Sequence, residues 1–162
     1  MTTGRQAHRL DPDSADLTLL QDRQVAVLGF GPVASGHALN LRDSGVDVRV
    51  GVRADSRAAA RAEVEGLLVV EVPAAIATAD IVVLPTDDSA DPATLHAVLR
   101  EGLEPGDLVL VTGGGPVHHG AVTVPDGVDL VVLQGIGGAD RLRGERVLCG
   151  EGAAPSHQAR PL

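Results

Sequence analysis

The chain lacks lysine, tyrosine and tryptophan, and it has one phenylalanine, one cysteine and one methionine among 162 residues. The absence of lysine excludes Schiff-base catalysis and a lysine general acid. The absence of tyrosine and lysine together excludes the Tyr/Lys pair of short-chain dehydrogenases, whatever the cofactor. The single cysteine, Cys149, has no partner for an internal disulfide and provides no metal cluster, so we expect no metal site.

Charge and hydropathy exclude further classes of function and location. A formal net charge of −9 repels the phosphate backbone of a nucleic acid, and 1% aromatic residues leave few rings to stack on bases. We therefore expect no nucleic-acid partner. No apolar run reaches the roughly 18 residues of a membrane span, and residues 1–18 lack the apolar stretch of a signal peptide. We therefore expect a cytoplasmic protein without membrane contact, with small molecules or proteins as partners. A length of 162 residues suits a single domain.

Short apolar runs alternate along the chain with segments of helical pattern, and glycine or proline separates them. The predicted strands are residues 24–28, 47–52, 67–70, 81–84, 108–111 and 128–133. The predicted helices are residues 17–20, 33–44, 56–65, 73–78 and 92–101. Strands that alternate with helices indicate a Rossmann-like α/β fold, with a doubly wound, mostly parallel sheet and helices on both faces. We expect this domain over residues 17–150, between a flexible arm at 1–16 and a disordered tail at 151–162.

A glycine turn follows the first predicted strand. Gly29 and Gly31 belong to a G-x-G-x-x-A pattern in which Ala34 stands where a third glycine often lies. Such a tight turn requires residues without an obstructing side chain, and the helix that it opens offers unpaired N–H groups and a partial positive charge. The pattern predicts that a dinucleotide is bound by the residues of this turn, which are Gly29, Phe30, Gly31, Pro32, Val33 and Ala34.

The end of the second strand indicates which dinucleotide is bound. Sites that prefer NAD usually place an acidic residue there to hold the ribose hydroxyls, whereas this chain has Arg53, followed by Ser56 and Arg57. Two arginines and a hydroxyl suit the 2′-phosphate of NADP. We therefore predict NADP as the cofactor, with NADPH preferred over NADH. The alternative is that the arginines only solvate the start of a helix.

Ligands of doubly wound sheets bind beyond the carboxyl ends of the strands. The residues at the ends of the fourth and fifth strands are therefore predicted to lie beside the cofactor, and they are Pro85, Thr86, Thr112 and Gly113.

Three residues of these loops are candidates for acid–base catalysis. His118 and His119 suit proton transfer because histidine titrates near neutral pH. Asp87, which precedes a second aspartate, suits a general base or a metal ligand. A surface histidine pair and an ordinary turn after Pro85 are the alternatives.

The stretch GFGPVASGHALNLRDSGVDVRVGVRADSR resembles the amino-terminal domain of ketol-acid reductoisomerase, a family that uses NADPH and magnesium. HALNLRDSGVDV is its most specific part, and the ADIVVLP and EPGDLVLV strands extend the resemblance to about Asp16 through Leu133. The resemblance implies a Rossmann-like NADPH-binding domain. It also assigns the NADP phosphate to Arg53 and Ser56, with Arg57 in the neighbouring position.

The residues that catalyse the family reaction are only partly matched. Gly113 stands at the first histidine of the family motif and His118 at the second, while QGIGG has no counterpart of the family lysine. Glu145 matches a metal-binding glutamate, but Arg141 replaces the preceding aspartate. One carboxylate beside an arginine cannot hold a pair of magnesium ions, and we expect no counterpart of the helical carboxy-terminal domain that supplies the other ligands in the family. We therefore do not expect the family's alkyl migration with reduction.

Two functions remain open. The first is a stand-alone NADPH-dependent reductase of a small ketone or imine, with a proton from His118, His119 or water. Its pocket would be closed by a second copy in a homodimer or by a partner protein. The second is a non-reductive role for a repurposed cofactor-binding domain, as an NADP sensor, a scaffold for a partner enzyme or an acid–base catalyst of the isomerase or cyclase type.

Overall fold

The computed structural model describes residues 16–85, 99–100, 102–112 and 122–133. Its strands are β1 (Gln24–Leu28), β2 (Asp47–Gly51), β3 (Leu68–Val70), β4 (Ile81–Pro85), β5 (Leu108–Thr112) and β6 (Asp129–Leu133). Its helices are α1 (Thr18–Gln21), α2 (Pro32–Asp43), α3 (Arg57–Val64) and α4 (Val72–Thr78). Of the helix predicted at 92–101, residues 99 and 100 are described and helical. The predicted tail lies outside the described residues, as does the arm apart from Asp16.

All six strands are parallel and form one sheet in the order β3-β2-β1-β4-β5-β6. Val27 of β1 is paired with Val50 of β2 on one side and with Val83 of β4 on the other. The strand order therefore reverses between β1 and β4, and such a switch point leaves a crevice at the carboxyl ends of the strands. The predicted doubly wound Rossmann-like fold is confirmed.

Helices cover both faces of the sheet. Val25 and Val27 of β1 belong to a buried cluster with Ala34 and Ala38 of α2 and with Ala59 of α3. Successive side chains of a strand point to opposite faces, so the alternate residues of β1 lie on the other side. There they pack in a second cluster with α4, which contributes Ala75 and Ile76. Burial on both faces explains the continuous apolar runs of the central strands.

Several element boundaries differ from the prediction by one residue, and the shifts at Pro32 and Pro85 involve proline. Helix α2 begins at Pro32 and not at Val33, because the first helical position needs no N–H donor and suits the fixed φ of proline. Pro85, predicted to follow β4, is its last residue and is registered with Thr112 of β5. None of the helices in the described part of the chain is long and apolar enough to cross a membrane.

Candidate functional site

A cleft of about 540 Å³ opens at the carboxyl ends of β1, β2 and β4, where the strand order reverses. We call it the switch-point cleft. Its lining residues come from the ends of β1, β2 and β4, from the glycine turn and from the helices α2, α3 and α4. They are Leu28, Gly29, Phe30, Gly31, Ala34, Gly51, Val52, Arg53, Ser56, Ala58, Arg61, Val72, Leu84 and Pro85.

Two glycines shape the floor of the cleft for different reasons. Gly29 has φ +85°, and a Cβ there would meet nothing within 4 Å, so its backbone conformation is what requires glycine. Its N–H donates to the carbonyl of Gly51 over 2.9 Å. A Cβ on Gly51 would lie 2.8 Å from Leu28 Cδ2 and 2.9 Å from Ala75 Cβ, so close packing is what requires glycine there. Together they join the ends of β1 and β2 tightly.

Helix α2 starts at this glycine turn. Gly31 is its N-cap with extended backbone, Pro32 follows, and no side chain caps this end. The first hydrogen bond of the helix is donated by the Ser35 N–H to the Gly31 carbonyl, over 2.8 Å. Uncapped first-turn N–H groups and the positive end of a helix of 12 residues can bind an anion.

The loop between β2 and α3 holds Arg53 and Ser56 in a compact turn. Ser56 caps α3, since its Oγ accepts from the Ala59 N–H at 3.1 Å. The same hydroxyl donates to the Arg53 carbonyl at 2.6 Å. Arg53 Nε lies 3.2 Å from Asp55 Oδ1, and both side chains are largely exposed, at 78% and 84%. The Ser56 hydroxyl proton and one edge of the Arg53 guanidinium are thus engaged within the loop.

The sequence interpretation missed Glu71, which directly follows β3. Its Oε1 accepts from the Ala54 N–H at 2.9 Å and so anchors the middle of the β2–α3 loop from outside. The available signal was its place at a strand's carboxyl end, since parallel strands bring those ends to the same edge of the sheet.

Arg61 was also missed. Its Nη2 donates to the Phe30 carbonyl at 2.5 Å, and its guanidinium carbon lies 5.9 Å from the centroid of the buried Phe30 ring. It follows Arg57 by four residues, which places the two on neighbouring turns of one helix face. Both arginines are exposed, but Arg61 lines the cleft, whereas Arg57, in the first turn of α3, is not a lining residue.

The structure brings together seven of the predicted cofactor-binding residues as cleft lining, namely Gly29, Phe30, Gly31, Ala34, Arg53, Ser56 and Pro85. Pro32 and Val33 lie in the first turn of α2, and Thr112 ends β5 beside Pro85. The remaining candidates, Thr86, Asp87, Gly113, His118 and His119, lie outside the described residues. Among the residues that the structure describes, no group of three or more His, Cys, Asp and Glu side chains could hold a metal ion.

Comparison with known proteins agrees with this architecture. A family model described as "Acetohydroxy acid isomeroreductase, NADPH-binding domain" matches residues 19–147. Ketol-acid reductoisomerase (NADP(+)) of Kocuria rhizophila is 38% identical over 133 residues, which are 82% of this chain and 39% of that protein. The protein of the same name from Beutenbergia cavernae is 40% identical over 135 residues, 83% of this chain and 40% of that protein. The chain thus spans about two fifths of the length of these relatives.

A solved structure shows the same fold. An NADH-preferring ketol-acid reductoisomerase from an uncultured archean matches with a TM-score of 0.76 at 21% identity, over 85% of this chain and 43% of that chain. The resemblance inferred from the glycine turn and the HALNLRDSG stretch is confirmed by the family model, which covers well over half of the residues. The chain therefore belongs to the acetohydroxy acid isomeroreductase NADPH-binding domain family.

Proposed function

We propose that the chain binds NADP(H) in the switch-point cleft and acts as an NADPH-dependent reductase of a small ketone or imine. The observation that carries the proposal is the cleft itself, in which a glycine turn, an uncapped helix start and an arginine–serine loop meet at the reversal of strand order. Membership of an NADPH-binding domain family supports it.

The residues of the cleft fit a dinucleotide. Gly29 keeps a side chain out of the open space at the floor of the cleft, where an added Cβ would meet nothing within 4 Å, so a ligand can approach the backbone at the end of β1. At the start of α2, where no side chain caps the helix, the N–H groups of Val33 and Ala34 can bind a diphosphate. Leu28, Val52 and Val72 add apolar lining beside these polar groups, as small-molecule sites usually require.

The preference for NADPH over NADH rests on the β2–α3 loop. Arg53 lies at the end of β2, where an acidic residue would favour ribose hydroxyls. Its exposed guanidinium can exchange the Asp55 carboxylate for a phosphate that carries more charge. The Ser56 hydroxyl donates to the Arg53 carbonyl, so we assign it to orienting Arg53, and it contacts the phosphate when its proton turns from that carbonyl to a phosphate oxygen.

When bound, NADPH supplies a hydride for reduction. The chain's own residues bind and orient the dinucleotide, and a proton must reach the oxygen or nitrogen of the reduced substrate. We assign this proton to His118, His119 or water, and the nicotinamide end to the loops after Pro85 and Thr112. The cleft is open to solvent, so we further propose that a second copy or a partner protein closes it. Light scattering during gel filtration, with and without NADPH, measures the molecular mass and so tests whether a second copy binds. A chain that is monomeric in both conditions and still reduces its substrate without a partner protein would contradict this closure.

Titration of NADPH and NADH, followed by nicotinamide fluorescence, tests the binding part. The chain has no tryptophan or tyrosine whose emission would interfere. We expect tighter binding of NADPH, and in Arg53→Ala a loss of about 1 kcal/mol, roughly fivefold in Kd, for NADPH alone. Arg23→Ala is the matched control. Arg23 is an exposed arginine that lies 3.7 Å from Asp80 at the amino ends of the strands, away from the cleft. Absence of NADPH binding by the wild type would refute the proposal.

Turnover tests the reductase part separately. The wild type is incubated with NADPH and a panel of small ketones and cyclic imines, and cofactor oxidation is followed at its absorbance maximum. Consumption that requires both protein and substrate supports a reductase. Tight NADPH binding without consumption across the panel would contradict it and favour the non-reductive role.

A further inference from the structure

Arg61 provides a second positive charge in the switch-point cleft, in addition to that of Arg53. Its guanidinium donates to the Phe30 carbonyl over 2.5 Å and lies 5.9 Å from the centre of the Phe30 ring. Phe30 is the middle residue of the G-x-G turn. The charge is therefore held at the turn that leads into α2, and not at the Arg53 end of the cleft.

Of the two arginines that line the cleft, Arg61 has the guanidinium that is more available to bind a ligand. Arg53 has an acidic partner in Asp55 at 3.2 Å, whereas Arg61 takes part in none of the ion pairs formed among the described residues. The bond to Phe30 uses a single N–H, and a guanidinium carries several more donors in a planar fork that suits phosphate oxygens. The Phe30 ring attracts the guanidinium electrostatically at 5.9 Å, and this contact consumes none of its donors.

We infer that Arg61 is a binding residue for the diphosphate of the dinucleotide, a role that rests on the proposed function. The diphosphate is common to NADPH and NADH, while the 2′-phosphate belongs to NADPH alone. Loss of Arg61 therefore weakens both nucleotides by a similar factor. Loss of Arg53 changes the ratio between them.

The test compares Arg61→Gln and Arg61→Ala with Arg53→Ala in the full chain. Arg61→Gln retains an amide N–H that can donate to the Phe30 carbonyl but removes the charge, and it keeps the test valid if the alanine variant is poorly folded. Titrations with NADPH and NADH measure both Kd values, and inorganic pyrophosphate is then used as a competitor. We expect Arg61→Gln to bind both nucleotides roughly tenfold more weakly with an unchanged ratio, and pyrophosphate to compete less well.

Three results would overturn the inference. If Arg61→Gln binds both nucleotides as the wild type does, the role of Arg61 is limited to its bond with Phe30. If only NADPH is weakened, Arg61 belongs to the 2′-phosphate site beside Arg53. If the wild type itself binds neither nucleotide, the proposed function fails and the inference fails with it, which distinguishes that case from the first two.

Discussion

Replacing Gly51 with alanine tests how closely β2 approaches its neighbours at the floor of the switch-point cleft. The added Cβ would stand 2.8 Å from Leu28 Cδ2 and 2.9 Å from Ala75 Cβ. Leu28 can give way by rotating its side chain. Ala75 cannot, because its Cβ is fixed to the backbone of α4 and is fully buried. The substitution therefore pushes α4 away from the sheet.

The magnitude follows from two opposing effects. Overpacking a well-packed core costs about 1–3 kcal/mol. Exchanging glycine for alanine lowers the entropy of the unfolded chain and returns about 0.4–1 kcal/mol. We expect a net loss of about 1–2 kcal/mol in the free energy of unfolding, and each kcal/mol lowers the Tm of a chain of this size by about 2–4 °C.

Urea unfolding followed by far-ultraviolet circular dichroism measures this loss, and a double-mutant cycle identifies its cause. Ala75→Gly removes one of the two clashing groups, so the double variant should recover part of the loss beyond additivity. Gly29→Ala is the control, since its added Cβ meets nothing within 4 Å and its strain comes from φ +85°. It should cost about 1 kcal/mol and show no coupling to Ala75→Gly. Wild-type stability in Gly51→Ala, or additivity with Ala75→Gly, would refute the packing argument.

Two further predictions concern the β2–α3 loop. Ser56→Ala removes the side-chain cap of α3 and should cost about 1 kcal/mol in urea unfolding, and an unchanged midpoint would show that the bond to Ala59 contributes little. Glu71→Ala frees the Ala54 N–H, so the ratio of NADPH to NADH affinity should fall, whereas Glu71→Gln keeps an acceptor and should retain the ratio. Paired titrations of both nucleotides check this, and an alanine variant with the wild-type ratio would contradict the role given to Glu71.

The sheet could be predicted closely because its signals are local. The strand at Gln24–Leu28 is predicted at the observed bounds, since an apolar run that ends at a glycine turn has few other conformations open to it. The N-cap of α3 is also a local signal, because serine directly before a helical pattern favours that position, and Ser56 occupies it. The errors at Pro32 and Pro85 are of one residue, because proline at the edge of an element is compatible with either side of the boundary.

The cleft could be predicted only in part. Motif and spacing predict the glycine turn and Arg53 as cofactor-binding residues, and Arg53 and most of the turn line the cleft. Gly51, Glu71 and Arg61 depend on contacts between segments far apart in the chain, such as the bond from Arg61 to Phe30 across 31 positions. No local pattern shows which element such a side chain contacts, and for Glu71 the sequence indicates only a place at the carboxyl end of a strand.

The central claim is that the dinucleotide binds at the reversal of strand order, and amide chemical shifts measured during an NADPH titration test it most directly. We predict saturable shifts at Gly29, Gly31, Arg53 and Ser56, which surround the switch-point cleft. Amides at the amino ends of the strands, such as that of Gln24, which donates to Asp80 at 2.8 Å, should keep their chemical shifts. Shifts confined to the amino ends of the strands, or no shifts at all, would contradict the account.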